Sequence, residues 1–251
     1  MTPPPNLVAR FRAARRDPAL VVLEGLHALK HALRFGAVIE AVATPDPAAL
    51  AELAHDLAPD VAAEIAGLAE TCGAAMFAQL APVVPTTGVV ALARRPGVEA
   101  RAVLRPSPRP VVVLEAPQHL GNVGAAVRVA AAADAAGLVV VGQVDPYHPT
   151  VVRGAAGLQF ALPCLRLDAL PTTARPLVAL DACGTPLDEA LLPAGAVFAF
   201  GTERGGLSRE LRGRAEHVVA IPMRAGVSSL NLATAVAVLL YHPAARGNLA
   251  P

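Results

Sequence analysis

Residues 111–142 read VVVLEAPQHL GNVGAAVRVA AAADAAGLVV VG, and the architecture is decided there. Val111 to Glu115 is a short, continuous apolar run closed by a carboxylate, the pattern of a strand buried on both faces. Asn122 to Ala136 is built of small and apolar residues at helical length. Asn122 stands where a side chain can cap the helix start, and Gly137 stands at its end. Leu138 to Gly142 is a second buried strand. Strand, helix and strand in this order form a parallel βαβ unit.

The alternation continues on both sides. Downstream, a looser region holds His148, Pro149, Arg153 and Gly157. Strands follow at Leu177 to Asp181, Ala196 to Phe200 and Val218 to Ile221, with helices at Ser208 to Arg214 and Ser229 to Tyr241. Upstream, Leu20 to Glu24 reads as a strand, and Leu26 to Phe35 as a helix stopped by Gly36. Val38 to Ala43 is a strand. Asp46-Pro47 opens a helix through Leu57, with the acid as cap and proline at the first helical position. Asp60 opens another helix ending near Gly73, and Gly88 to Ala93 is a last strand. Between the two blocks, Pro96, Pro106, Pro108 and Pro110 stand among Arg94, Arg95, Arg101, Arg105 and Arg109, the composition of a linker. The expected class is α/β, with a small domain over residues 1–101, a Pro/Arg-rich linker over 102–110 and a parallel-sheet domain over 111–251.

Composition narrows the function. The chain has 251 residues, 54% of them hydrophobic, enough for ordinary buried cores. Trp is absent and aromatics are 3%, which excludes base stacking as a major binding mode. Net charge is +1, so no generally basic surface is implied. The charges are unevenly placed. No Lys or Arg lies between Phe35 and Ala93, where Glu40, Asp46, Glu52, Asp56, Asp60, Glu64 and Glu70 fall. Arg10, Arg12, Arg15 and Arg16 form one basic group, and the linker arginines another. Each is either an RNA contact or a solvated surface stretch. Cys72, Cys164 and Cys183 are odd in number and form no CxxC, which argues against a disulfide framework or a zinc site and fits a reducing cytosol. Met1 to Asp17 lacks the apolar core of a secretory signal. The apolar run Leu232 to Tyr241 is too short to span a bilayer.

Open parallel sheets bind ligands at the carboxyl ends of their strands. Three such ends carry unusual residues: Glu115 to Arg128, Phe200 to Leu207, and Ile221 to Asn231. Asn122 is either a cap or a site residue. Arg128 lies in an apolar run, where a cation needs a carboxylate, a phosphate or a path to water; an internal pair with Glu203 is one solution. Gly201, Gly205 and Gly206 permit either a tight turn or close approach of backbone to a ligand. Ser229 and Asn231 stand at a helix start, so capping competes with catalysis there. GxxxxGK[ST] and GxGxxG are both missing. These residues by themselves indicate an α/β protein that binds a nucleotide or cofactor.

Together the three segments resemble the three motifs of the SpoU/TrmH family of RNA ribose 2′-O-methyltransferases, in the family's order: Asn122 to Arg128, Gly201-x-Glu203-x-x-Gly206-Leu207, and Ile221-Pro-Met223 with Ser229-Leu-Asn231. Val-Val-Arg153-Gly-Ala-Ala-Gly157 resembles a segment between motifs. Leu23-Glu24-Gly25 and Pro85-Thr-Thr-Gly88-Val resemble the family's L30e-like RNA-binding domain. The resemblance implies a C-terminal SPOUT domain with a deep trefoil knot, preceded by a small L30e-like domain. It implies a cytoplasmic homodimer that binds S-adenosylmethionine without a metal and methylates structured RNA, ribosomal or transfer. By match of position, Asn122, Arg128, Glu203, Ser229 and Asn231 are the catalytic polar set. Gly201, Ile221, Met223 and Leu230 line the cofactor pocket. Val129, Ala225, Ser228 and Thr87 depart from the usual family residues. An RNA-binding protein of the same fold without catalysis is the alternative, and retention of the polar set argues against it.

Overall fold

The computed structural model describes residues 7–202 and 205–246. In chain order its elements are α1 (Leu7–Ala14), β1 (Leu20–Glu24), α2 (Leu26–Arg34), β2 (Ile39–Thr44), α3 (Pro47–Leu57), α4 (Ala62–Leu68), β3 (Ala69–Thr71), α5 (Ala74–Phe77), β4 (Val90–Arg94) and α6 (Ala100–Leu104). Then come β5 (Val111–Glu115), α7 (Leu120–Ala132), β6 (Gly137–Val141), α8 (Pro149–Gly154), β7 (Cys164–Leu167), β8 (Leu177–Pro186), β9 (Val197–Phe200), α9 (Arg209–Gly213), β10 (His217–Ala220) and α10 (Leu232–Tyr241). The chain divides into two units: Met1–Gly97 with Tyr147–Ala161, and Val98–Pro146 with Leu162–Pro251.

The first unit is built on a four-stranded sheet in the order β1-β4-β2-β3. β4 runs antiparallel to β1 and β2, and β3 parallel to β2. Asp46 caps α3 as expected, accepting from the Ala48 and Ala49 amides at 3.0 Å each. Two elements here differ from the sequence expectation. α1 was not foreseen; Leu7, Phe11 and Ala14 recur at helical spacing and are buried, but the neighbouring prolines and arginines hide that stripe. The helix expected to reach Gly73 stops at Leu68, and Ala69 to Thr71 pair with Val42 to Thr44. That pairing is a tertiary choice that overrides local helical preference.

Residues 147–161, expected in the C-terminal domain, belong to this first unit. Close backbone approach is the physical reason. Gly157 has φ 76°, and a Cβ there would lie 2.5 Å from Ala28 O and 2.9 Å from Ala28 Cα. His31 Nδ1 donates to Ala156 O at 2.7 Å. Burial pushes the His31 pKa below its usual value, against the opposing effect of that hydrogen bond. Tyr147 is buried edge-on to Phe160, with ring centroids 6.4 Å apart.

The second unit carries a six-stranded sheet in the order β10-β8-β9-β5-β6-β7, parallel throughout. β5 and β6 pair in register from Val111 opposite Gly137 to Glu115 opposite Val141. Their apolar runs are buried nearly to the last residue, as helices on both faces require. β7 was not foreseen in the looser region, and β8 runs past the expected Asp181 to Pro186.

The expected linker is structured. Within it α6 buries Val103 and Leu104 in the core of the second unit. Arg175, only 3% exposed, holds the residues that follow α6. Its Nε donates to Arg105 O at 2.8 Å, and its Nη1 donates to Arg109 O and Gly195 O at 2.7 Å each. Burial, then the charges of Arg105 and Arg109, push its pKa down. Among the described residues no helix is long and apolar enough to cross a membrane.

Candidate active site

The three marked segments follow the strand ends of the second unit. β9 ends at Phe200 and opens directly into the glycine loop. Thr202 and Gly206 exchange backbone hydrogen bonds at 3.0 and 3.1 Å, and the Gly205 amide donates to Thr202 Oγ1 at 2.8 Å. A Cβ on Gly201 would sit 1.9 Å from Gly206 C and 2.1 Å from Leu207 N. Gly201 is therefore required by the loop's own backbone. Of the two readings the sequence leaves open, the tight turn suffices to explain it. Glu203 lies outside the described residues.

The far end of the loop is held by a residue to which sequence reasoning gave no role. Glu115, at the end of β5, accepts from both the amide and the hydroxyl of Ser208 at 2.7 Å. Ser208 in turn caps α9, accepting from the Leu211 amide at 3.1 Å. The available signal was a carboxylate closing an apolar strand beside a marked segment.

Asn122 is not the helix cap. α7 begins at Leu120, so Asn122 lies inside its first turn, and His119 occupies the cap position. The Asn122 side chain faces the third segment instead: Asn231 Nδ2 donates to Asn122 Oδ1 at 2.9 Å. Asn231 is at the same time the cap of α10, its Oδ1 accepting from the Ala233 and Thr234 amides at 2.9 and 3.3 Å. One asparagine thus satisfies a helix end and ties the first segment to the third, while α10 packs along α7.

Arg128 is exposed. The buried face of α7 is Val123, Gly124, Ala126, Val127 and Ala130, and position 128 falls off that face. The desolvation cost inferred from its apolar neighbours in sequence does not arise. No acidic residue among the described ones pairs with its guanidinium.

Two adjoining clefts lie beside these segments. One, of about 150 Å³, is lined by Leu180, Asp181, Ile221, Met223, Ser229 and Leu230 among others. The second, of about 130 Å³, adds Phe200, Gly201, Thr202 and Gly206 and shares Leu180, Ser229 and Leu230 with the first. Gly201, Ile221, Met223, Ser229 and Leu230 are thereby brought together. The described lining holds no Lys or Arg. Its one acid, Asp181, accepts from the Cys183 amide at 2.9 Å and pairs with Arg212 at 3.1 Å. Among the described residues no His/Cys/Asp/Glu group is arranged to hold a metal ion.

The SpoU rRNA Methylase family model matches residues 109–241. A 23S rRNA (uridine(2479)-2′-O)-methyltransferase of Streptomyces viridochromogenes is 33% identical over 144 residues, covering 52% of this chain and 50% of that protein. The crystal structure of an RNA 2′-O ribose methyltransferase aligns with a TM-score of 0.74 at 29% identity, covering 96% of this chain and 95% of that one. The SpoU methyltransferase AviRb of Streptomyces viridochromogenes, solved in complex with AdoMet, aligns with a TM-score of 0.75 at 23% identity, covering 93% and 96%. The chain spans about half the length of the curated relatives it matches. The α/β fold and its parallel sheet match those of SpoU methyltransferase structures. With the family model covering more than half of its residues, the chain belongs to the SpoU rRNA methylase family.

Proposed function

We propose that this chain transfers a methyl group from S-adenosylmethionine to a ribose 2′-hydroxyl of a structured RNA, ribosomal or transfer. The observation that carries the reading is the Asn231–Asn122 hydrogen bond beside the two clefts. It joins the first and third family segments next to a pocket walled by the second. The clefts suit the cofactor. Leu180, Phe200, Ile221, Met223 and Leu230 offer apolar contact to adenosine. The described walls carry no basic side chain, so no cation lining the clefts opposes a sulfonium there. S-adenosylmethionine, when bound, supplies an electrophilic methyl group.

The chain's own residues handle the RNA. A ribose hydroxyl must lose its proton as it attacks, and the developing alkoxide needs stabilisation. Arginine, with a pKa above about 12, is a poor base but a strong multidentate donor. Arg128 is exposed, without an acidic partner among the described residues, and available to that oxygen. It stabilises the alkoxide while an RNA phosphate or solvent takes the proton. Asn122 and Asn231 hold the first turn of α7 and the start of α10 in one arrangement. Glu203 and Ser229 complete the polar set by family position, with Glu203 orienting Arg128 or its own loop.

A deep trefoil knot in the C-terminal unit, an L30e-like N-terminal domain and a cytoplasmic homodimer complete the reading. The exposed apolar residues Val227, Leu230, Val238 and Tyr241 support a dimer face formed by the third segment and α10. The test is incorporation of labelled methyl from S-adenosylmethionine into ribosomal and transfer RNA lacking the modification, with 2′-O-methyl sites mapped afterwards. Absence of incorporation together with retained RNA binding would favour a non-catalytic RNA-binding protein.

A further inference from the structure

The first unit holds an ion cluster that methyl transfer does not use. Glu24 closes β1, and its side chain is 2% exposed. Its two carboxylate oxygens take different arginines: Arg15 Nη2 donates to Oε1 at 2.8 Å, and Arg153 Nη1 to Oε2 at 2.9 Å. Arg15 also donates to Leu80 O at 2.9 Å, so its guanidinium is fixed from two sides. Arg153 is 48% exposed, and its other N–H groups have no partner among the described residues. One arginine would neutralise a buried carboxylate. Two leave the cluster cationic, with the outer guanidinium turned to solvent.

The surroundings extend that charge. Arg12, Arg15 and Arg16, with Asp17 as the one acid, line an open cleft of about 630 Å³ at the end of α1. The Arg95 amide donates to Ala19 O at 2.8 Å, and its guanidinium lies 4.4 Å above the Tyr147 ring. Other arginines of this unit pair with exposed or half-buried acids. Arg10 and Arg94 share Glu40, and Arg34 makes a two-pronged pair with Asp60. Arg10 therefore stands apart from Arg12, Arg15 and Arg16, because it shares Glu40 with Arg94.

We infer that Arg15 and Arg153, held in fixed geometry by the buried Glu24, form a clamp for an RNA backbone phosphate, which Arg12 and Arg16 extend into a strip. The inference rests on RNA being the substrate. A planar guanidinium matches phosphate oxygens with two parallel donors, and a pre-oriented one loses less entropy on binding. The cleft is open, which fits a chain of phosphates better than one enclosed small anion. Tyr147 is buried beneath Arg95, so contact here is made by charge and not by stacking on bases.

The test is fluorescence anisotropy of the full chain with a labelled RNA stem-loop across a salt series. Each phosphate contact adds roughly 0.7–0.9 to the slope of log affinity against log salt. Loss of one contact therefore weakens binding by about five- to eightfold at ~0.1 M salt. Arg153→Gln should show that loss and a slope shallower by about one contact, with melting temperature and S-adenosylmethionine affinity nearly unchanged. Arg10→Gln, whose partner is Glu40, should leave RNA affinity unchanged. Glu24→Gln discriminates by sign. It removes a negative charge, so a merely cationic surface would bind RNA more tightly, whereas a clamp that has lost its anchor binds more weakly. If Glu24→Gln does not fold, Arg153→Gln and Arg153→Lys decide, the lysine variant keeping the charge and losing the fork. Wild-type affinity and slope in Arg153→Gln, or tighter binding by folded Glu24→Gln, overturns the clamp alone. A wild-type chain that does not bind RNA at low salt overturns the RNA reading and the clamp together.

Discussion

Gly201→Ala is the sharpest perturbation of the cofactor clefts. The added methyl would lie 1.9 Å from Gly206 C, 2.1 Å from Leu207 N and 2.2 Å from Gly206 O. Non-bonded carbons settle at about 3.5–4.0 Å, so the backbone at residues 206–207 must retreat by roughly 1.5 Å or more. The atoms met are main chain, which cannot rotate away as a side-chain end can. Retreat breaks the two Thr202–Gly206 hydrogen bonds of 3.0 and 3.1 Å, at about 0.5–1.5 kcal/mol each. Overpacking strain adds roughly 1–3 kcal/mol. A loop that must recover its original shape before binding loses at least about 2 kcal/mol of affinity on these figures, or roughly thirtyfold. Leu207 belongs to the core of the second unit, so circular dichroism must first show that the variant is folded. Titration calorimetry with S-adenosylmethionine is the assay. Gly205→Ala is the control, because its methyl meets only Thr202 Oγ1 at 3.0 Å, a side chain able to shift. Affinity within threefold of wild type in folded Gly201→Ala would refute the claim that this contact shapes the pocket.

Arg128→Lys keeps the charge and loses the planar fork; single-turnover methyl transfer should slow by roughly a hundredfold or more with S-adenosylmethionine affinity unchanged, and a rate within a few-fold of wild type would remove Arg128 from the chemistry. Arg175→Met strips donors from the buried carbonyls of Arg105, Arg109 and Gly195, so urea unfolding of the second unit should show a loss of about 3–5 kcal/mol; a loss below about 1 kcal/mol would mean that water replaces the guanidinium. Asn231→Asp retains a capping oxygen for α10 but not the amide that donates to Asn122, so thermal stability should hold while turnover falls, and wild-type turnover would make the tie dispensable.

How much could be read from the sequence depended on where each signal resides. The βαβ unit over residues 111–142 was legible because buried parallel strands are written as uninterrupted apolar runs, and the Asp46 cap because capping is a local code. β3 and β7 were not legible. Ala69 to Thr71 and Cys164 to Leu167 become strands through the neighbours they pair with, which no window of sequence contains. α6 was hidden for a different reason: the prolines and arginines around Val103 and Leu104 outweighed two apolar residues in the composition. The Arg175 clamp left no trace at all, since its acceptors are main-chain carbonyls and carry no residue identity.

The candidate site shows the same division, most clearly at Arg128. Its apolar neighbours in sequence left three solutions open for the cation: a carboxylate, a phosphate or a path to water. Helical geometry selects the path to water: on α7 the neighbours at 126, 127 and 130 face the core, while 128 faces out. Asn122 and Asn231, by contrast, find each other within the chain and fix the frame beside which the clefts open. The polar set is therefore of two kinds. The asparagines are satisfied in the folded chain and hold geometry. The arginine is exposed, with no acidic partner among the described residues. An exposed guanidinium costs little to maintain before substrate arrives, and it gains strength only when an incoming anion excludes water around it. On the proposed reaction that anion forms on the substrate, as the ribose oxygen loses its proton. The residue that most needs a partner for catalysis is thus the one left exposed, without an acidic partner among the described residues, until substrate arrives.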